Sequence, residues 1–85
     1  MSEEKANPVR QAILDLTAVC GPGKTISAEQ AARAVSEANF QRVLKDVRAE
    51  AIRLHKAGTV LIYRKGKPVE DPDRFKGVYR LGLPA

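Results

Sequence analysis

Residues 40 to 54 carry the pattern that most limits what this chain can fold into. Phe40, Leu44, Val47, Ala51 and Leu54 recur at i, i+4, i+7, i+11 and i+14, a continuous apolar stripe along one side of a helix, with Val43 widening one edge. A stripe of that length has to be covered by other elements, so this helix forms the spine of a core. Its start falls at Ser36 or Asn39 as the cap, and its end at Gly58, the residue type that most often closes a helix. After Gly58 the apolar period changes from helical to two. Thr59 to Arg64 and Val78 to Leu83 read as strands, joined by residues 66 to 77.

The cover comes from upstream. Asn7-Pro8 supplies a cap followed by proline at the first helical position, where its missing N–H is of no consequence. Val9, Ile13, Leu16 and Cys20 then recur at helical spacing until Gly21-Pro22, which predicts a first helix over about residues 8 to 20. Thr25-Ile26-Ser27 is β-branched and predicts one or two residues of extended chain. Ser27 with Gln30 forms a capping box for an alanine-rich second helix over about residues 28 to 36. Three helices followed by a hairpin is the element order of a winged helix. The expected fold class is therefore α+β: a three-helix core with a helix-turn-helix, plus a C-terminal two-stranded β-hairpin wing. A tight hairpin turn uses about two to five residues, so the stretch from Gly66 to Gly77 predicts a wing that reaches away from the core. With 85 residues there is room for one domain, over 7 to 85. Residues 1 to 6, MSEEKA, lack apolar periodicity and are expected to be a flexible N-terminus.

Charge narrows the function. The net charge is +5 and the sequence pI near 9.7, which favours nucleic acid or an acidic protein as partner. The acidic N-terminus is unlike a signal peptide, and no apolar run approaches the roughly 20 residues that cross a bilayer. The single cysteine, Cys20, has no internal partner for a disulfide. A cytoplasmic protein with no membrane association is expected.

Residues 41 to 67 hold eight basic side chains against Asp46 and Glu50, a local charge of +6 that exceeds that of the whole chain. On a helical wheel the side opposite the stripe carries Arg42, Lys45, Ala49, Arg53 and Lys56, with Gln41 and Arg48 at its border. Arg64 and Lys65 stand at the base of the loop, Lys67, Arg74 and Lys76 along it, and Arg80 on the return strand; Glu70, Asp71 and Asp73 dilute the charge near its tip. The competing reading is a solvated face, partly balanced by Arg42–Asp46 and Glu50–Arg53 pairs worth a few tenths of a kcal/mol each. In a winged helix, however, these residues come from the two elements that engage the groove and the adjacent backbone. Double-stranded DNA is therefore the expected partner. Gln41, Arg42, Lys45 and Arg48 face the groove, Lys65, Lys67 and Lys76 hold phosphates, and Arg53, Lys56 and Arg64 complete the set. The alternative is an adaptor that docks an acidic protein partner.

Other motifs have plainer readings. Gly21-Pro22-Gly23-Lys24-Thr25 imitates the end of a phosphate-binding loop, but Ala18 stands where that pattern needs glycine, inside a helix. It reads as a helix stop plus a turn. His55 has no second ligand at metal spacing and is expected to be half-buried and structural. Cys20 has no base beside it and reads as a buried small hydrophobe. Tyr63 and Tyr79 suit either core packing or base stacking. Phe75 is expected to fold back against the body, and Ile52 to pack beneath the hairpin. No nucleophile beside a base, paired carboxylates or cofactor fingerprint is present, so neither an enzyme nor a cofactor is expected.

The run VRAEAIRLHKAGTVLIYRKGKPVEDP, followed by GVYRL, resembles a family of small bacterial winged-helix proteins known as domain of unknown function 3253. The resemblance extends from ILDL through GPGKTIS to YRL, and its specific part is Val47-Arg48, Lys65-Gly66-Lys67-Pro68-Val69 and Arg80-Leu81. It implies the winged-helix fold and brings no activity with it. Where that family tends to have a tryptophan at the start of the third helix, this chain has Phe40, a change that a core role tolerates.

Overall fold

A computed structural model describes residues 7 to 84 and orders them as α1 (Pro8–Cys20), β1 (Thr25–Ser27), α2 (Ala28–Val35), α3 (Phe40–Ala57), β2 (Leu61–Arg64), β3 (Lys67–Pro68) and β4 (Arg80–Gly82). The flexible terminus expected over residues 1 to 6 lies outside the described residues. The fold is α+β: three helices and one small antiparallel sheet. Among the described residues no helix is long and apolar enough to cross a membrane.

The helices begin where local chemistry dictates. The Asn7 side chain accepts from the Arg10 N–H at 3.1 Å, and Ser27 and Gln30 exchange both bonds of the capping box at 3.0 and 2.9 Å. Of the two caps considered for α3, Asn39 holds the position without a side-chain bond. Ser36 contributes one residue turn earlier, its hydroxyl accepting from the Asn39 N–H at 3.2 Å. The Gly58 N–H closes α3 by donating to the His55 and Leu54 carbonyls.

The α3 stripe is buried most deeply at its C-terminal end. Val47, Ala51 and Leu54 are buried, whereas Phe40 and Leu44 are half-buried and pack against the core from its margin. Val9, Ile13 and Thr17 are the buried positions of α1, and the Thr17 hydroxyl is satisfied by donating to the Ile13 carbonyl at 2.8 Å. Cys20 is half-buried rather than buried. Phe75 folds back as expected, only 7% exposed, with its ring edge-on to Tyr79 at 5.1 Å. Ile52 is half-buried against the core. His55 is structural, as expected: its Nδ1 accepts from the Ile62 N–H at 3.0 Å and ties α3 to β2.

The sheet departs from the expected two-stranded hairpin. It has four strands in the order β1-β4-β2-β3. Lys65 and Gly66 both take positive φ, 55° and 82°, and make a two-residue turn that pairs Arg64 with Lys67 and Tyr63 with Pro68. The chain then leaves the sheet, runs through residues 69 to 79, and returns on the other side of β2 as β4. The expected twelve-residue wing is therefore a tight hairpin followed by a separate loop. A lysine at positive φ is uncommon, and Lys-Gly lacks the Asn-Gly or Asp-Gly signature that announces such a turn. Thr25 to Ser27 is likewise more than a short extended link. It is an edge strand in register with β4, Ile26 opposite Leu81.

Ile26, Ile62 and Leu81 point to the helical side and join Ile13, Val47 and Leu54 in one core. Alternation along the strands sends Thr25, Tyr63 and Arg80 to the opposite face. The described residues thus form two layers, three helices on one face of the sheet and, among those residues, an uncovered face on the other.

Candidate nucleic-acid interface

The residues expected to contact DNA separate into two groups. Gln41, Arg42 and Lys45 are exposed on the first turns of α3, Lys65 and Lys67 flank the β2–β3 turn, and Lys76 is exposed on the loop before β4. None of these five cations makes an ion pair with a described residue.

The other four cations also bond within the fold. The Arg48 guanidinium lies over the Phe75 ring, 4.0 Å from its centroid, and donates to the Phe75 carbonyl at 2.9 Å. It pins the 69–79 loop to α3, so of the four residues expected at the groove this one already has a partner within the fold. Arg53 pairs with Glu50 at 2.9 Å. Lys56 pairs with Asp73 at 2.9 Å, which holds the same loop further along the helix. Arg64 donates to the Val78 carbonyl at 3.1 Å and spans from the hairpin to the loop. Of the two pairs in the competing reading, Glu50–Arg53 forms and Arg42–Asp46 is not among the ion pairs of the described residues.

Glu50, which the competing reading placed in a solvated pair with Arg53, is only 2% exposed. Burial pushes its carboxyl up, but bonds from Arg10, Arg53 and Asn7 outweigh that cost and hold it below its ordinary value. Arg10 approaches at 2.5 Å, Arg53 at 2.9 Å and Asn7 at 3.0 Å. The carboxylate fastens the start of α1 to the middle of α3, which fixes the tilt of the helix whose exposed end carries Gln41, Arg42 and Lys45. No signal along the sequence marks this role, because Asn7 and Arg10 lie 43 and 40 residues away.

A second grouping of cations, which joins Lys24 to residues of the expected wing, was not foreseen from the sequence. Lys24 and Arg80 meet Arg64 and Lys65 around a cleft on the uncovered face of the sheet. Pairing of β1 with β4 brings the first two together, and only the strand register reveals it. Among the described residues no group of three or more His, Cys, Asp or Glu side chains is placed to hold a metal.

No curated protein matches the chain. A family pattern does match, over residues 6–84 and so over nearly the full length. The chain belongs to the family described as "Protein of unknown function (DUF3253)".

Proposed function

We propose that this is a winged-helix domain that binds duplex DNA, with α3 in the major groove and the β2–β3 turn on the phosphate backbone. The observation that carries the reading is the exposure of Gln41, Arg42 and Lys45 together at the N-terminal end of α3, with both cations outside any ion pair among the described residues. That end of a recognition helix is the part that reaches base edges. Residues 36 to 39 join α2 to α3, and the two helices pack together as a helix-turn-helix requires. Lys65 and Lys67 sit at a projecting two-residue turn, where they suit phosphates rather than bases.

The cations taken up by Phe75, Glu50, Asp73 and Val78 have a supporting part in this reading. They set the position of the loop and of α1 and leave six residues for contact: Gln41, Arg42, Lys45, Lys65, Lys67 and Lys76. Exposed apolar surface offers little competition. Among the described residues the large exposed hydrophobics are Val19 and Val78, on different elements, too sparse for a protein-docking patch of the usual kind.

The test is a binding isotherm on random and selected duplexes across a range of salt. Replacing Lys65 and Lys67 with alanine weakens binding to all duplexes alike and reduces the slope of log K against log[salt] by about 0.9 per lost contact. Arg42→Ala costs about 1–3 kcal/mol on a preferred site and less on random DNA. Absence of salt-sensitive binding at low ionic strength, or a slope indifferent to the lysine substitutions, refutes the reading. The same cations would then point to an acidic protein as partner.

A further inference from the structure

A cleft lies on the open face of the sheet, between the turn that precedes β1 and the β2–β3 turn. It encloses about 630 Å³, within the range of small-molecule sites, roughly 300–1,000 Å³. Four cations line it, Lys24, Arg64, Lys65 and Arg80, and no carboxylate of a described residue does. None of the four forms an ion pair with a described residue.

The two guanidinium groups are held by neutral oxygens. Arg80 donates to the Thr25 hydroxyl at 2.7 Å and to the Thr25 carbonyl at 3.2 Å, and Arg64 to the Val78 carbonyl at 3.1 Å. Such anchors fix each fork in place and leave its positive charge uncompensated by any described residue, with further N–H groups for a ligand. Like charges gathered around a partly enclosed surface repel one another, and an anion relieves the repulsion.

The cleft also has an apolar part. The Tyr63 ring lies against Gly82, where a Cβ would come within 3.3 Å of its Cε1, and the phenol is fixed by donating to the Leu83 carbonyl at 3.0 Å. Val78, 86% exposed, forms part of the wall. An inorganic ion would leave both uncovered, whereas a planar organic body would cover them.

We infer that this cleft binds a small planar organic anion, an aromatic carboxylate or phosphate monoester, with its charged head among Lys24, Arg64 and Arg80 and its ring over Tyr63 and Val78. The Gly21-to-Thr25 turn contributes the Lys24 side chain here, as a point charge at the rim. The site is distinct from the proposed DNA face: Lys24, Tyr63, Val78 and Arg80 take no part in that contact set, and Lys65 stands at the border of the two.

The experiment is a titration of phenyl phosphate into the isotopically labelled chain, followed by amide chemical shifts. Saturable shifts are expected at Lys24, Thr25, Tyr63, Val78 and Arg80, with binding at least about tenfold weaker for neutral phenol and for inorganic phosphate. Lys24→Gln and Arg80→Gln each weaken binding by about tenfold. Because Arg80 also bonds Thr25, Lys24→Gln is the deciding variant; its ammonium supports no contact among the described residues. Equal affinity for phenol, equal affinity for inorganic phosphate, shifts elsewhere on the molecule, or an unchanged Kd in Lys24→Gln each overturn the inference. So does a single-stranded oligonucleotide that perturbs the cleft where phenyl phosphate does not, since the face would then follow a nucleic-acid strand. None of these results depends on duplex binding, which the Lys65 and Lys67 substitutions report separately.

Discussion

Replacing Glu50 with glutamine tests the link between α1 and α3 with almost no change of shape. The variant removes one negative charge that is 2% exposed and receives bonds from Asn7, Arg10 and Arg53. Breaking a buried ion pair from one side costs about 3–5 kcal/mol when the abandoned partner stays buried. Here the Arg10 and Arg53 side chains are 46% and 64% exposed, so both guanidinium groups recover water and the cost falls. A glutamine oxygen still accepts one or two of the bonds, while its NH2 opposes a donor. The net expectation is a loss of about 1–3 kcal/mol at neutral pH. The pH dependence gives a sharper test. The folded carboxyl lies below its ordinary value of 4.5, so as pH falls the unfolded chain takes up this proton first. The stabilisation is fully present above the ordinary value and is lost as pH falls through the folded value. Urea unfolding followed by circular dichroism from pH 7 downward should therefore show the gap between wild type and variant narrowing across that window. A gap that stays constant with pH, or a variant as stable as wild type at neutral pH, would refute the assignment of Glu50 as the tie between the helices.

Three further perturbations address other contacts. Arg48→Met removes the cation over the Phe75 ring and the bond to its carbonyl, a loss of about 1–2 kcal/mol. Hydrogen exchange should quicken over residues 69 to 79 while α1 and α2 keep their protection. Leu54→Ala, at a site 3% exposed, should cost about 2–5 kcal/mol in chemical denaturation, and the half-buried Leu44→Ala less than about 2 kcal/mol. Gly82→Ala places a Cβ 2.8 Å from the Lys24 carbonyl, a backbone atom that cannot turn aside, and should lower stability by about 1–3 kcal/mol. Thermal unfolding reads that loss, and a neutral result would mean that β1 stands further from β4 than the register describes.

What could be read from the sequence was set by how far apart the determinants lie. The Asn7 cap, the Ser27–Gln30 box and the Gly58 stop act within a few residues, and all three helices follow from them. The β2–β3 turn was missed although it is equally local, because its two left-handed positions are filled by Lys65 and Gly66 and the lysine conceals the turn. For the basic residues, composition located the charge without sorting it. Lys45 and Arg48 are neighbours on one helix and look alike in sequence, and what separates them is Phe75, 27 residues beyond Arg48. Glu50 illustrates the same limit from the opposite direction: an acid on a polar flank becomes a buried hub only when α1 arrives.

The placement of β4 has a consequence for how the chain assembles. Residues 80 to 82 form an interior strand, bonded to β1 on one side and β2 on the other. The helices and the β2–β3 hairpin are built from nearby residues and can form early, but β1 has no partner until a segment 55 residues downstream reaches it. Closing that span is the slow step expected for this topology, since the entropy of the loop is lost before the strand contacts repay it. A nascent chain that ends before Arg80 would hold three helices and a hairpin around an unfilled gap, with Ile26 and Ile62 lacking the Leu81 that lies between them.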